Sequence, residues 1–312
     1  MESRSLYDLL RGLTTEERNP RTRDIDRVDS EEVLRLIHIE DRSVMDVVEA
    51  AIPRWSVVVD RVVDALRGDG RLIYAGAGTS GRLGVLDAAE CPPTYGTDPD
   101  RVRGLIAGGI PTLTRSAEGV EDDELVARRD VDALEVGPDD VVVGISASRR
   151  TPYPRAAIAR ARERGAWTAF LVANELGPED RDVADHVVEV VTGPEAITGS
   201  TRMKAALAQK MMLTMLTTAA MVRWGKTYEN LMVDVAPTSQ KLIERAKGLV
   251  MHLADVEYDE AAALISMADH EVKTAVVMAR RKVDADGARA LLEDAQGSLR
   301  RALETREGKE FE

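Results

Sequence analysis

The sequence contains 312 residues, enough for one sizeable α/β core with smaller attachments, because single hydrophobic cores stop growing at about 250 to 300 residues. Its formal net charge of -13 disfavours nucleic acid and anionic membranes as partners, since both attract clustered Lys and Arg. The single cysteine, Cys91, excludes an intrachain disulfide, and residues 1–27 are charged and lack an apolar signal segment, so we expect a cytoplasmic protein.

An N-terminal helical arm is predicted for residues 1–50, because 31–37 and 44–52 show helical spacing of apolar side chains. Within this arm, residues 14–20 read TTEERNP. This stretch is too polar for a core, and its composition predicts a solvated surface segment.

Five short β-branched runs alternate with helical segments at 71–75, 102–107, 141–145, 168–172 and 186–191. The alternation predicts a three-layer αβα fold, with a five-stranded parallel sheet of the flavodoxin type covered by helices on both faces. We assign this domain to residues 51–245. Ligands of such sheets bind beyond the carboxyl ends of the strands, so the loops after the first and third strands are the predicted site.

The loop after the first strand reads GAGTSGR at 76–82. It matches the G-x-G-x-x-G pattern of dinucleotide-binding loops, but the second run ends in two glycines, where that function needs an acidic residue. A nicotinamide cofactor is therefore the weaker interpretation. Gly78, Thr79 and Ser80 at a helix N-terminus instead suit the phosphate or the hydroxyls of a sugar phosphate.

The loop after the third strand reads SASRRTP at 146–152 and precedes a helix that begins near Pro152. The hydroxyls of Ser146, Ser148 and Thr151, the guanidinium groups of Arg149 and Arg150, and the helix N-terminus can together form an anion cradle. The alternative is an ordinary helix cap, but a cap needs only one hydroxyl. Two such loops at equivalent strand ends favour a functional site.

Two glutamates are candidate acid and base residues. Pro92 and Pro93 are expected to stop the preceding helix, which would place Glu90 at its C-terminal end, where partial negative charge favours a protonated carboxyl. Glu121 precedes the helical run 124–134, whose positive N-terminus favours an ionised carboxylate. The alternatives are a solvated Glu90 and acidic residues that merely cap a helix, and spacing does not show that the two side chains meet.

A third polar cluster, at 192–204, precedes a long apolar helix at 205–222. Arg202 and Lys204 are unusual beside a positive helix end unless they serve an anion, and Ser200 or Thr201 can cap the helix. The candidate substrate-binding residues of this cluster are Glu195, Ser200 and Lys204. Polar interruptions in the apolar stretch predict a buried core or dimer helix rather than a membrane span. Toward the C-terminus, 260–276 and 287–303 repeat the same helical spacing and predict a small bundle of helical hairpins at 246–312.

These motifs closely resemble the N-acetylmuramic acid 6-phosphate etherase family. The matching stretches are GAGTSGRLGVLDAAECPPTYG, AEGVEDD, TGPEAITGSTRMK, NLMVDV and TTEERNP. The resemblance implies a sugar-isomerase (SIS) domain, a UBA-like helical C-terminal domain and a homodimer with active sites near the subunit interface. It also implies a lyase that removes D-lactate from a phosphorylated amino sugar by elimination and hydration, in cell-wall amino-sugar recycling.

The family's acid and base map onto Glu90, as the proton donor to the ether oxygen, and Glu121, as the base at C2. Ring opening places an aldehyde beside C2 and acidifies its proton, so no metal or organic cofactor is required. The resemblance further implies that the phosphate is held by the loop after the third strand, and that Thr79 and Ser80 contact the sugar or the phosphate.

One departure from the family pattern is Arg149, which stands where the second loop usually has Gly, so the backbone is expected to approach the phosphate less closely. Two alternative functions share this fold. One is a non-catalytic phosphosugar sensor similar to the glucokinase regulatory protein, and the other is a ketose–aldose isomerase.

Overall fold

A computed structural model describes residues 12–177, 180, 182–235 and 240–304. The first 11 residues of the predicted N-terminal arm and residues 305–312 of the predicted C-terminal bundle therefore lie outside the described residues. The described residues form two compact units. The first contains those up to Ala89 together with Asp100–Thr217, and the second contains Glu90–Pro99 and those from Thr218 onward.

The sheet and the helices around it alternate along the chain, as predicted. In chain order these elements are α1 (Ser30–Arg67), β1 (Leu72–Gly76), α2 (Gly78–Tyr95), β2 (Val102–Ile106), α3 (Glu124–Ala133), β3 (Val141–Ser146), α4 (Pro152–Glu163), β4 (Trp167–Val172), β5 (His186–Glu189) and α5 (Lys204–Trp224).

The five strands are parallel and lie in the order β2-β1-β3-β4-β5. Tyr74 of β1 lies between Gly104 of β2 and Val143 of β3 in the register. This is the flavodoxin-type order, and it confirms the predicted five-stranded parallel sheet. The strand order reverses between β1 and β3, which is the position where open α/β sheets bind their ligands.

Alternate residues of β1 face different helical layers, because side chains alternate across a strand. Ile73 and Ala75 share an apolar cluster with residues of α3 and α4. Tyr74 instead faces α2, where a Cβ added to Gly84 would lie 2.9 Å from the Cβ of Tyr74. Glycine thus permits α2 to pack closely on the sheet.

Helix α1 is a single helix of 38 residues, so it continues through the predicted arm boundary at residue 50 and through Pro53. It begins at an Asp29 cap, whose carboxylate accepts a hydrogen bond from Glu32 N at 2.9 Å. Its buried face includes Trp55, whose indole N–H donates to Met212 O of α5 at 2.7 Å. By length and composition, α5 is the one helix among the described residues that could cross a membrane, and more than half of its most apolar window is buried.

The second unit contains a short hairpin followed by a helical bundle. Its further elements are β6 (Thr227–Tyr228), β7 (Leu231–Met232), α6 (Gln240–Ala254), α7 (Tyr258–Met267), α8 (Val272–Arg281), α9 (Ala285–Asp294) and α10 (Leu299–Glu304). Each copy of the sequence repeat spans a helix, a turn and the start of the next helix. Equivalent turn residues, His270 and Gly297, both have positive φ and donate their N–H to Ile265 O and Leu292 O, which are also equivalent.

Candidate active site

A cavity of about 300 Å³ opens in the first unit beside the carboxyl ends of β1, β2 and β3. Both predicted loops line it, through Ala77, Gly78, Thr79, Ser80 and Arg82 after β1 and through Ala147, Ser148 and Thr151 after β3. The remaining wall is formed by the segment after β2, which is residues 107–123, by Glu16, and by two residues ahead of α5, Gly199 and Thr201.

The loop after β1 brings the start of α2 close to the strand. A Cβ added to Gly81 would lie 2.7 Å from Gly76 O, so glycine permits this approach. Thr79 is half-buried at the cavity wall. Ser80 is buried, and its hydroxyl donates to Gln209 Oε1 of α5 at 2.8 Å.

The hydroxyls of the loop after β3 form a cluster. Thr151 Oγ1 lies 3.0 Å from Ser146 Oγ and 3.3 Å from Ser148 Oγ. Although Thr151 is the residue before α4, its side chain makes no capping hydrogen bond. An ordinary cap therefore does not account for this cluster. In the first three residues of α4 only Tyr153 has a backbone N–H, because Pro152 and Pro154 have none, so the hydroxyls are the main donors to an anion here. Ser148 and Thr151 line the cavity, with Ser146 in contact behind Thr151.

Glu121 lies on the cavity wall, in a short turn of 3-10 helix at Val120–Asp122. It is half-buried. The N-terminus of α3 is capped instead by Asp123, whose carboxylate accepts from Val126 N at 2.9 Å. Since Asp123 serves the helix, the Glu121 carboxylate is available to a ligand in the cavity.

Glu90 is exposed and belongs to the second unit. The expectation that Pro92 and Pro93 end its helix is wrong, because α2 continues through both prolines to Tyr95. Proline's fixed φ is compatible with a helix, at the cost of a lost N–H hydrogen bond. The helix ends where Gly96 turns to a φ of 60° and donates its N–H to Pro92 O. Glu90 therefore does not occupy the helix C-terminal end that supported its role as an acid.

The third cluster supplies internal ion pairs. Glu195 is fully buried and caps α5, accepting from Lys204 N at 2.8 Å and Ala205 N at 3.0 Å. Lys204 Nζ donates at 2.9 Å to both Glu40 Oε2 and Pro194 O. Lys204, the cation beside the N-terminus of α5, does serve an anion, as expected, but that anion is the Glu40 carboxylate of α1 and not a substrate. The three predicted substrate-binding residues of this cluster are not among the described residues that line the cavity; they are Glu195, Ser200 and Lys204.

Hydrogen bonding and burial shift the pKa values of two carboxyl groups in and beside this cluster, Glu40 and Glu195. Glu40 is 1% exposed and accepts hydrogen bonds from Arg21 as well as Lys204. Hydrogen bonding, chiefly from Arg21, lowers the pKa of Glu40 from 4.5 to about 2. Burial raises the pKa of Glu195, against the effect of its backbone hydrogen bonds.

The polar N-terminal stretch reaches the cavity, which sequence reasoning missed. Thr15 is fully buried, so the expectation of a solvated segment is wrong for this residue. Its neighbour Thr14 donates to Asn174 Oδ1 at 3.0 Å, while Asn174 Nδ2 donates to Thr15 Oγ1 at 3.1 Å. These bonds help to place Glu16 on the cavity wall. The available signal was the motif match of TTEERNP, not its composition.

Comparison with known proteins links this geometry to sugar phosphates. The family described as glucokinase regulatory protein N-terminal SIS domain matches residues 55–162. The chain is 47% identical over 295 residues to the N-acetylmuramic acid 6-phosphate etherase of Bacillus subtilis (strain 168), covering 95% of this chain and 97% of that one. It is 48% identical over 308 residues to the enzyme of the same name from Salinibacter ruber, with 97% of each chain covered.

Among solved structures, a phosphoheptose isomerase from Francisella tularensis superposes with a TM-score of 0.43 at 13% identity. The match covers 61% of this chain and 95% of that structure.

Proposed function

The chain belongs to the N-acetylmuramic acid 6-phosphate etherase family, and on that premise we infer that it is a lyase that cleaves the D-lactyl ether of this sugar phosphate. The near-complete match to relatives of that name carries the inference, since 97% of the B. subtilis protein is covered at 47% identity. The products are N-acetylglucosamine 6-phosphate and D-lactate. The cavity at β1, β2 and β3 is the proposed active site.

We propose that the hydroxyl cluster after β3 holds the 6-phosphate. Ser148 and Thr151 face the cavity, and the uncapped N-terminus of α4 lies beside them with one N–H, that of Tyr153, in its first three residues. Neutral donors of this kind bind a phosphate without a basic surface, which suits an acidic chain. Ser146 supports the cluster through its contact with Thr151. Thr79 is then placed to bind the sugar or the phosphate from the β1 side.

Glu121 is the proposed base. Ring opening makes the C2 proton acidic, and its transfer to the Glu121 carboxylate leaves an electron pair that forms the C2–C3 double bond as the C3–O bond breaks. The departing lactate oxygen takes a proton from an acid, the role that the family resemblance predicts for Glu90. Water then adds at C3 and a proton returns to C2. A carboxylate in such a role contributes about 10²- to 10⁴-fold to the rate.

The family resemblance also predicts a cytoplasmic homodimer that acts in amino-sugar recycling, and one surface supports the dimer. Leu34, Met45 and Ile52 are 67%, 45% and 44% exposed. At 100° per residue, these three positions project from one side of α1. A row of exposed apolar side chains on one helix face suits burial against a second copy of the chain.

A regulatory protein without catalysis is not favoured. The match to the glucokinase regulatory protein domain covers 55–162 only, whereas the etherases match over nearly the whole chain.

Purified protein incubated with N-acetylmuramic acid 6-phosphate should release D-lactate in an amount equal to the N-acetylglucosamine 6-phosphate formed. Glu121→Gln should remove this activity. Asp122→Asn is a matched control, because Asp122 is an exposed carboxylate of the same turn. Wild-type protein that releases no lactate from this substrate would refute the proposed function.

A further inference from the structure

Arg82 is the one basic side chain among the described residues that line the cavity. The wall also carries two carboxylates, Glu16 and Glu121, and the proposed phosphate cradle consists mainly of hydroxyls. A ligand with more than one negative charge therefore meets a single cation here.

The guanidinium of Arg82 is held in a defined position. Its Nε donates to Thr112 O at 3.0 Å and to Leu113 O at 3.3 Å, in the segment that follows β2. Within the described part of the chain, its two terminal nitrogens have neither a hydrogen bond nor an ion pair. Arg82 is half-buried, and the two Nε contacts hold its guanidinium at the cavity wall.

This position is separate from the phosphate cradle. Arg82 follows β1, and its Nε is bonded to carbonyls of the segment after β2, whereas Ser148 and Thr151 follow β3. The cavity thus offers two places for anions, one neutral and rich in hydroxyls and the other cationic.

The proposed substrate carries two anions, the phosphate on C6 and the carboxylate of the lactyl group on the C3 oxygen. We propose that Arg82 binds the lactyl carboxylate through its two terminal nitrogens and thereby determines specificity for a sugar phosphate with a carboxylated ether. The inference rests on the proposed function. Paired N–H donors of a guanidinium match the two oxygens of a carboxylate, and neither of the other cavity-lining charges, Glu16 and Glu121, attracts an anion.

The arrangement also links recognition to chemistry. The carbonyls that hold Arg82 belong to the same segment as Glu121. A lactyl group bound by Arg82 is therefore placed on the side of the cavity that carries the proposed base. The product N-acetylglucosamine 6-phosphate has no carboxylate, so it loses this contact when lactate leaves.

The test compares three ligands in Arg82→Gln and the wild type: the substrate, its lactyl primary amide, and N-acetylglucosamine 6-phosphate as a competitive inhibitor. Wild-type kcat/KM should be about 10- to 100-fold higher for the acid than for the amide, as expected for a hydrogen-bonded charge. Arg82→Gln should lose this preference while its inhibition constant for N-acetylglucosamine 6-phosphate changes less than threefold. Arg115→Gln, an exposed arginine of the segment after β2, should keep the preference.

Three results would overturn the inference. They are a wild type that cleaves acid and amide equally well, a preference that persists in Arg82→Gln, and an inhibition constant that rises in parallel with the loss of activity, which would assign Arg82 to the phosphate. If Arg82→Gln does not fold, Arg82→Lys replaces it, and an undiminished preference in that variant counts against the inference. Only absent lactate release by the wild type refutes the proposed function itself, so the two failures are distinguishable.

Discussion

Removing one partner of the buried ion pair between Glu40 and Lys204 should strongly destabilise the first unit. Both side chains are almost fully buried, and Glu40 Oε2 accepts from Lys204 Nζ at 2.9 Å. Glu40→Gln keeps the side-chain size and an oxygen acceptor but removes the negative charge, so the buried Lys204 ammonium loses the counterion it has in the described structure. Removing one member of a buried pair costs about 3 to 5 kcal/mol, because the other charge stays desolvated.

A matched control comes from the same carboxylate. Arg21 also pairs with Glu40, but its side chain is 57% exposed. Solvent screens the Arg21 end of this pair, and Glu40 keeps its buried partner Lys204 when Arg21 is replaced, so Arg21→Gln should cost less than Glu40→Gln. The double variant Glu40→Gln/Lys204→Met removes both buried charges and should recover most of the loss. Urea unfolding, followed by tryptophan fluorescence to which buried Trp55 contributes, measures all of these free energies.

The pH dependence has a defined sign. The pKa of Glu40 falls from 4.5 to about 2 on folding, so its stabilisation is fully present above pH 4.5 and is lost as the pH drops toward 2. The difference between the wild type and Glu40→Gln should narrow over that range. A Glu40→Gln variant within about 1 kcal/mol of the wild type at neutral pH would refute the reasoning.

Three further predictions concern the site and its assembly. Glu121→Gln should abolish both lactate release and exchange of the C2 proton with deuterated water, whereas Glu90→Gln should block release yet leave some exchange; the opposite pattern would show that the roles are reversed. Ser148→Ala should raise KM for the phosphorylated substrate about tenfold by removing one hydrogen bond to a charged group, and equal kcat/KM for N-acetylmuramic acid with and without its phosphate would contradict the phosphate site. Light scattering should show a dimer at micromolar concentration and a monomer after Leu34→Glu/Ile52→Glu, while a fully active wild-type monomer would argue against an interface site.

The sheet was predictable because each of its strands carries its own signal. A parallel strand covered on both faces must be apolar along its length, and β3 is buried at every position. The predicted runs agree with the observed strands to within two residues. Once the strands are known, the rule that ligands bind at their carboxyl ends locates the cavity.

The third polar cluster was not predictable in this way, because its partners are remote in sequence. Lys204 pairs with Glu40 across 164 positions, and no local pattern indicates that pairing. Thr14 likewise finds Asn174 across 160 positions. Composition shows that a residue is polar but not which internal group will bond to it. Sequence reasoning therefore assigned Thr15 to solvent and Lys204 to a ligand, although both have internal partners.

Arg149 departs from the family pattern at a backbone position that suits glycine. Its φ of 65° is the left-handed conformation that glycine adopts readily. A non-glycine residue pays about 1 to 2 kcal/mol for this conformation, and the side chain offers contacts in return. Arg149 Nη1 lies 3.1 Å from Asp180 Oδ2, and Arg155 Nη1 donates to Arg149 O at 3.2 Å. The side chain is thus held within the first unit beside Asp180, and the Ser148 and Thr151 hydroxyls keep their places on the cavity wall.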